Sequence, residues 1–424
     1  MNNTLKTFAL AAVPLVCVFS THVLAGDDLG LKLGSFNVMP VLESNNEWKS
    51  NIYSSQQNTI DDVVFHTKPS VAVKSDWSQH ALNLLVNSDI QNYANHDHED
   101  RNNYSFNLDG RFDVMRNSFA TAKFSYANQY ENRGSPDSVF HDTATPLNSF
   151  IALAPTNYQL IDGYIGYDHK INRVRISVDN DTQHYGYVNG MTSNGTVIDN
   201  NRNRSRLQNT STIKLGYELF SGYEAFVRGS YNFTDYDSQF NGVGGLNDKG
   251  VQRSSTGYNL NTGVSFDVTG KIIGEVHLGY QERSYADASL KAISGMSGGL
   301  SLVWKATGLT TVNASISRSI NETTQQDASG YMSTPLQLSV KHELLRNLIL
   351  NASVGYTIND YTGAGNGGKG NRAEDNYNAN FGVNYLINRH LYLNGGYNFS
   401  SRITNVTNTN YDISSVFITL GLKY

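Results

Sequence analysis

Five consecutive residues, His96-Asp97-His98-Glu99-Asp100, hold two imidazoles and three carboxylates, a donor set suited to a divalent cation. No distant ligands complete the set, and the segment reads as a short loop. Neither a metal nor a cofactor is expected. Gly295-Met296-Ser297-Gly298-Gly299 has the spelling of a nucleophile elbow, which needs a strand-to-helix turn and His and Asp partners. Here it lies in an alternating stretch running on to Leu300, Leu302 and Trp304, so the spelling is fortuitous. Gly363-Ala364-Gly365-Asn366-Gly367-Gly368 matches a dinucleotide fingerprint, but no helix follows to aim its positive end at a phosphate. It reads as a glycine-rich loop tip. No paired-carboxylate or Ser/His set stands at a strand end, and the chain is not expected to be an enzyme.

The informative charges are spread out. Arg111, Lys123, Arg173, Arg175, Asp179, Lys214, Arg228, Glu275, His277 and Lys341 each fall on the polar face of an alternating stretch. Buried away from water, each would cost several kcal/mol, of order ~3 or more. They are therefore expected to line a water-filled space. They either pair across it and hold its shape, or set the size and charge of what passes.

What positions them is a two-residue period. Val416, Ile418, Leu420, Leu422 and Tyr424 alternate with Phe417, Thr419, Gly421 and Lys423. Val312, Ala314 and Ile316 alternate with Asn313, Ser315 and Ser317; Val276, Leu278 and Tyr280 alternate with Glu275, His277 and Gln281. In a strand these sets face opposite sides. Short turns are expected near residues 76–78, 114–116, 170–172, 220–222, 268–270, 306–308, 344–346 and 387–389. Longer polar segments lie between them, among them 133–156, 189–205, 238–253 and 362–375. Eight short turns and nine longer connections make about eighteen strands. Arg133 to Pro155, with Gly134, Pro136 and Pro146, could fold inward as a constriction or outward as a cap.

Composition agrees. Charged residues are 16% and hydrophobic residues 39%, both below what ordinary soluble domains carry. The net charge of -5 excludes the basic surface that nucleic acid requires. After Ala25 no apolar run approaches the ~20 residues of a membrane helix. A lipid-embedded backbone must then close on itself as a barrel, leaving no unpaired edge. The expected fold is all-β, a transmembrane antiparallel up-and-down β-barrel.

Residues 1–25 read as a secretory signal peptide. Lys6 precedes the apolar stretch Phe8 to Phe19, too short to span a bilayer, and Val23-Leu24-Ala25 is a small-residue cleavage site. Its removal takes away Cys17, the single cysteine, so no disulfide braces residues 26–424. Tyr126, Tyr231, Tyr280, Tyr356 and Tyr397 at one end, with Trp304, Tyr385 and Tyr424 at the other, fit interfacial girdles. Leu420, Leu422 and Tyr424 on one face match a C-terminal signal for the barrel assembly machinery, although Thr419 stands where such signals carry glycine.

The phrases Ser75-Asp76-Trp77-Ser78-Gln79-His80-Ala81-Leu82, Arg133-Gly134-Ser135-Pro136-Asp137, Gly222-Tyr223-Glu224-Ala225-Phe226-Val227-Arg228-Gly229-Ser230-Tyr231 and His342-Glu343-Leu344-Leu345-Arg346-Asn347-Leu348 resemble those of the putative β-barrel porin 2 family. The resemblance runs from about Leu33 to Tyr424. It implies an outer-membrane barrel of Gram-negative bacteria, with outer-membrane lipid, lipopolysaccharide and the assembly machinery as partners. Some members lie among exopolysaccharide or capsule genes, which would add polysaccharide-export components. The family carries no agreed substrate or catalytic residue. Three functions stay open: a porin-like channel for hydrophilic solutes, an exit barrel for exopolysaccharide or capsule, and a closed structural or adhesion barrel.

Overall fold

The computed structural model describes residues 30–135, 154–188, 204–237, 251–325, 328–363 and 372–424, and the backbone of 139–141, 149–151, 190–191 and 197–198. The expected signal peptide, the glycine-rich tip 364–368 and most of the Arg133 to Pro155 segment lie outside the described residues.

Eighteen long strands follow one another around a single closed sheet. They are β1 (Phe36–Lys49), β2 (Asp62–Ser75), β3 (Ala81–Tyr93), β4 (Arg101–Met115), β5 (Ser118–Tyr130), β6 (Asn157–Ile171), β7 (Val174–Tyr187), β8 (Arg206–Phe220) and β9 (Tyr223–Tyr236). The second half holds β10 (Ser255–Val268), β11 (Ile272–Tyr285), β12 (Ile293–Lys305), β13 (Thr310–Glu322), β14 (Ala328–Leu345), β15 (Leu348–Gly363), β16 (Ala373–Leu386), β17 (Leu391–Thr404) and β18 (Tyr411–Lys423). Every strand pairs antiparallel with its neighbours in sequence. The sheet closes where β18 meets β1, from Val41↔Lys423 to Lys49↔Ser415. A short strand, Leu31–Leu33, pairs with Phe36 to Val38 beside that seam. Among the described residues no helix is long and apolar enough to cross a membrane.

The turns fall where the alternation breaks, shifted slightly by backbone chemistry. The expected turns at 114–116 and 170–172 become Arg116-Asn117 and Asn172-Arg173. Asn117 (φ 64°) and Asn172 (φ 52°) take the left-handed conformation that asparagine tolerates better than the branched or apolar residues before them. At the β8–β9 turn the requirement is for glycine itself. Gly222 has φ 84°, and a Cβ there would sit 2.5 Å from the Asp267 carbonyl oxygen.

Alternation sets two surfaces. Outward side chains on successive strands include Ile165, Ile213, Val227, Leu260, Leu278, Val354, Phe381 and Ile418, all exposed. These apolar residues have no second protein layer over them. Hydrocarbon is the one solvent in which such a surface is stable, because in water it would be an apolar patch far larger than monomers carry. Tyr231, Tyr280 and Tyr397 are exposed toward the loop end, and Trp304, Tyr385 and Tyr424 toward the turn end. Tyr236, five residues past Tyr231, and Tyr361, five past Tyr356, turn inward and are buried. An odd spacing changes face.

Candidate functional site: the lumen and its mouth

The sequence-expected charges sort by position. Arg111 (β4), Lys123 (β5), Arg175 and Asp179 (β7), Lys214 (β8), Arg228 (β9), Glu275 and His277 (β11) and Lys341 (β14) all share the face opposite the exposed apolar residues. Arg173 is different: it sits in the two-residue turn between β6 and β7 and is exposed at the rim. Leu420, Leu422 and Tyr424 point outward.

Among the described residues the ion pairs run along the wall and do not cross the lumen. Lys214 Nζ is 3.0 Å from Glu275 Oε2, and the Arg228 guanidinium meets the other oxygen of Glu275. Arg175 bridges Asp168 at 3.7 Å and Glu224 at 3.1 Å. Lys170 reaches Glu218 at 2.6 Å, and Arg111 reaches Asp113 at 2.8 Å. Two lumen bases rest on rings as well: Arg111 over Phe119 and Lys214 over Phe226, each 4.0 Å from the centroid. The alternation of β9 puts Glu224 on the polar face with Arg228, although Glu224 is not among the ten expected charges; Asp168, inward on β6, was missed. The network lies flat because β10 offers Gly263 between its members. A Cβ on Gly263 would come within 2.8 Å of the Phe226 ring and 2.7 Å of His277 Cβ.

The loop end is bound together by buried arginines. Arg133 Nε donates to Glu99 Oε2 at 3.0 Å, joining the β5–β6 and β3–β4 loops. Arg204 Nη1 donates to Glu131 Oε2 at 3.0 Å. Arg253 donates to the carbonyls of Ala328 and Gln325 at 2.8 Å and of Thr323 at 3.1 Å. Arg402 donates to the carbonyls of Thr409 and Gly134, and the Tyr411 ring lies against Gly134. Gly134 follows β5, whereas Arg402 belongs to β17, which by the shorter way along the wall is reached through β4, β3, β2, β1 and β18. The described base of the long loop therefore leans into the mouth. The tip of the β13–β14 hairpin leans in too. Registered pairing of β12 with β13 stops at Gly298↔Arg318, and Gly330 meets Tyr285 and Ile293.

The His96 to Asp100 segment is occupied by this architecture. His96 Nδ1 pairs with Asp62 at 2.7 Å, Asp100 accepts from the Tyr93 backbone at 2.7 Å, and Glu99 serves Arg133. Among the described residues no group of three ligating side chains is placed to hold a metal. Ser297, the centre of the elbow-like spelling, is a buried strand residue that donates to Asn261 at 2.7 Å. A groove of about 760 Å³ between Ile165, Val178, Ile213, Tyr231 and Leu260 opens on the apolar outer wall, away from the lumen.

A closed sheet jacketed in apolar side chains around a polar, charged interior defines a transmembrane β-barrel protein. The family model for putative beta-barrel porin 2 matches residues 25–424, and the chain belongs to that family. Among solved structures, Pseudomonas aeruginosa OpdO is similar at 11% identity over 94% of this chain and 98% of its own, with a TM-score of 0.43. The siderophore receptor PiuA from Acinetobacter baumannii is similar at 9% identity over 93% and 82%, with a TM-score of 0.48. The outer membrane protein OpdK from Pseudomonas aeruginosa is similar at 10% identity over 92% and 99%, with a TM-score of 0.40. No curated protein sequence matches.

Proposed function

We propose that the protein is a channel of the Gram-negative outer membrane that passes small hydrophilic solutes through a water-filled lumen, and that it performs no catalysis. The observation carrying this reading is the inner wall. Ionised side chains such as Lys214, Glu275 and Arg228 project from it at mid-strand, where only water or a counter-ion makes charge affordable. Barrels of 16–18 strands are wide enough for an aqueous channel. The arginine-bound segment 131–135 narrows the loop-end mouth and sets the size limit. Residues 1–25 act as the export signal, and the outward row Leu420, Leu422 and Tyr424 engages the assembly machinery.

The test is conductance of refolded protein lacking residues 1–25 in a planar bilayer, with heat-modifiable gel mobility as the folding check. Stable single-channel steps in KCl support the channel. A folded barrel that inserts and carries no current would support the closed, structural alternative.

A further inference from the structure

The lumen has two unlike walls. Inward charges crowd β4 to β9 and β11. On β12 to β17 the inward positions away from the strand ends are, but for Pro335, almost all amides, hydroxyls and glycines. The charges there, among them Lys305, Lys341, Glu343, Glu374 and Arg402, stand near the turns or at the mouth. Because β18 closes on β1, this neutral third of the wall faces the charged third across the lumen.

The neutral wall has internal order. Asn313, Ser339, Ser353, Asn380, Asn398 and Ser415 are direct cross-strand partners on six consecutive strands, Ser415 being buried at the end of the row. Neighbouring strands lie ~4.8 Å apart, so the row extends about 24 Å. Barrel strands tilt ~35–45°, so the row climbs the wall as a shallow spiral. Within it amide and hydroxyl alternate in pairs. Asn313 donates to Ser339 at 3.2 Å, Asn380 to Ser353 at 3.0 Å, and Asn398 to Ser415 at 3.3 Å. Each amide has two donor hydrogens and a carbonyl acceptor, so one such bond uses only part of its capacity.

We infer that this row is a binding track for neutral, polyhydroxylated solutes, that is, carbohydrate. The inference rests on the channel reading and names the solute class of that lumen. A sugar presents hydroxyls that both donate and accept, at spacings of a few ångströms and without charge. A wall of amides and hydroxyls exchanges hydrogen bonds with it at each step, replacing water at little net cost. Ordered weak sites in series let a solute enter and still leave. On the charged wall opposite, Lys214, Arg228, Glu275, Arg175 and Glu224 are taken up in ion pairs along the wall and offer a charged solute less than their number suggests.

The experiment is current block of the refolded channel by maltohexaose as a neutral probe, with an oligogalacturonate of equal length as the anionic comparison. Transient block by maltohexaose, stronger than by the oligogalacturonate, is expected. The triple variant Ser353→Ala, Asn380→Leu, Asn398→Leu should shorten maltohexaose residence about 10-fold, each lost hydrogen bond contributing a factor of a few. Arg173→Gln, in the exposed β6–β7 turn outside the lumen, should leave that residence time unchanged. A KCl-conducting channel that maltohexaose does not block, that both oligomers block equally, or whose block survives the triple variant overturns the carbohydrate track and leaves the channel intact. If no KCl current flows, the channel reading fails. Saturation transfer from the refolded barrel to maltohexaose then decides the track alone, its presence supporting it and its absence overturning it.

Discussion

Lys214 on β8 and Glu275 on β11 are 3.0 Å apart although two whole strands, β9 and β10, separate theirs. Lys214 lies over the Phe226 ring, and beside the contact stands Ser265, whose hydroxyl also donates to Glu275 at 3.0 Å. Glu275 is thus the anion shared by Lys214 and Arg228. Glu275→Gln leaves Arg228 without its carboxylate and Lys214 with only Glu224, 4.0 Å away. The expected outcome is a reversal potential displaced toward anion selectivity in a KCl gradient. A loss of about 1–3 kcal/mol in barrel stability should accompany it, read as a lower temperature of the gel-mobility transition. Unchanged selectivity would mean that permeating ions do not sense this network.

The assignment of faces has its own test. Leu278 points outward and is 62% exposed on a strand whose next residue but one, Tyr280, marks the girdle. Leu278→Arg puts a charge in hydrocarbon a short way below the girdle and should cost about 1–2 kcal/mol, between the interfacial and midplane values. Ser301→Arg on the adjoining strand points into water beside Glu275, its registered partner, and should fold normally. If the two substitutions had equal effects, the inside and outside of the barrel would have to be exchanged or abandoned.

Loop anchoring should control the mouth. Glu99 is almost wholly buried, and it receives the Arg133 guanidinium. Glu99→Ala removes the acceptor that holds residues 131–135 over the opening. A rise in single-channel conductance is expected, and a larger one on deletion of 138–152. Conductance equal to the parent in both variants would place this segment outside the ion path.

Assembly should depend on the last outward row. Tyr424 is exposed at the turn end, stacked on His390 with ring centroids 5.9 Å apart, and its backbone N–H donates to Pro40 at the seam. Tyr424→Ala is expected to lower the fraction of heat-modifiable barrel recovered from outer membranes several-fold, while the same variant refolds in detergent like the parent. Equal recovery of both in cells would show that assembly reads a different segment.

The residues themselves show where the sequence suffices. Val276, Leu278 and Tyr280 take one face and Glu275, His277 and Gln281 the other because successive Cβ atoms in a strand alternate by local geometry. That locality makes the barrel class, the turns and the inward charges legible, and cross-strand pairing follows from turn length once the hairpins are placed. Arg173 falls outside this logic: parity assigns it to the lumen, but Asn172 takes the left-handed bend and leaves Arg173 in the turn.

Contacts at long sequence separation were decided only by closure of the sheet. Arg402 meets Gly134, and Lys214 passes over two strands to Glu275, because a ring of eighteen strands sets the distances between them. Nothing in a strand's own alternation encodes which distant loop its arginine will clasp. The two unlike walls have the same origin. Charges thin out along the second half of the chain, a pattern present in the sequence. It becomes a neutral surface facing a charged one only when β18 is hydrogen-bonded to β1 and the two halves are brought opposite each other.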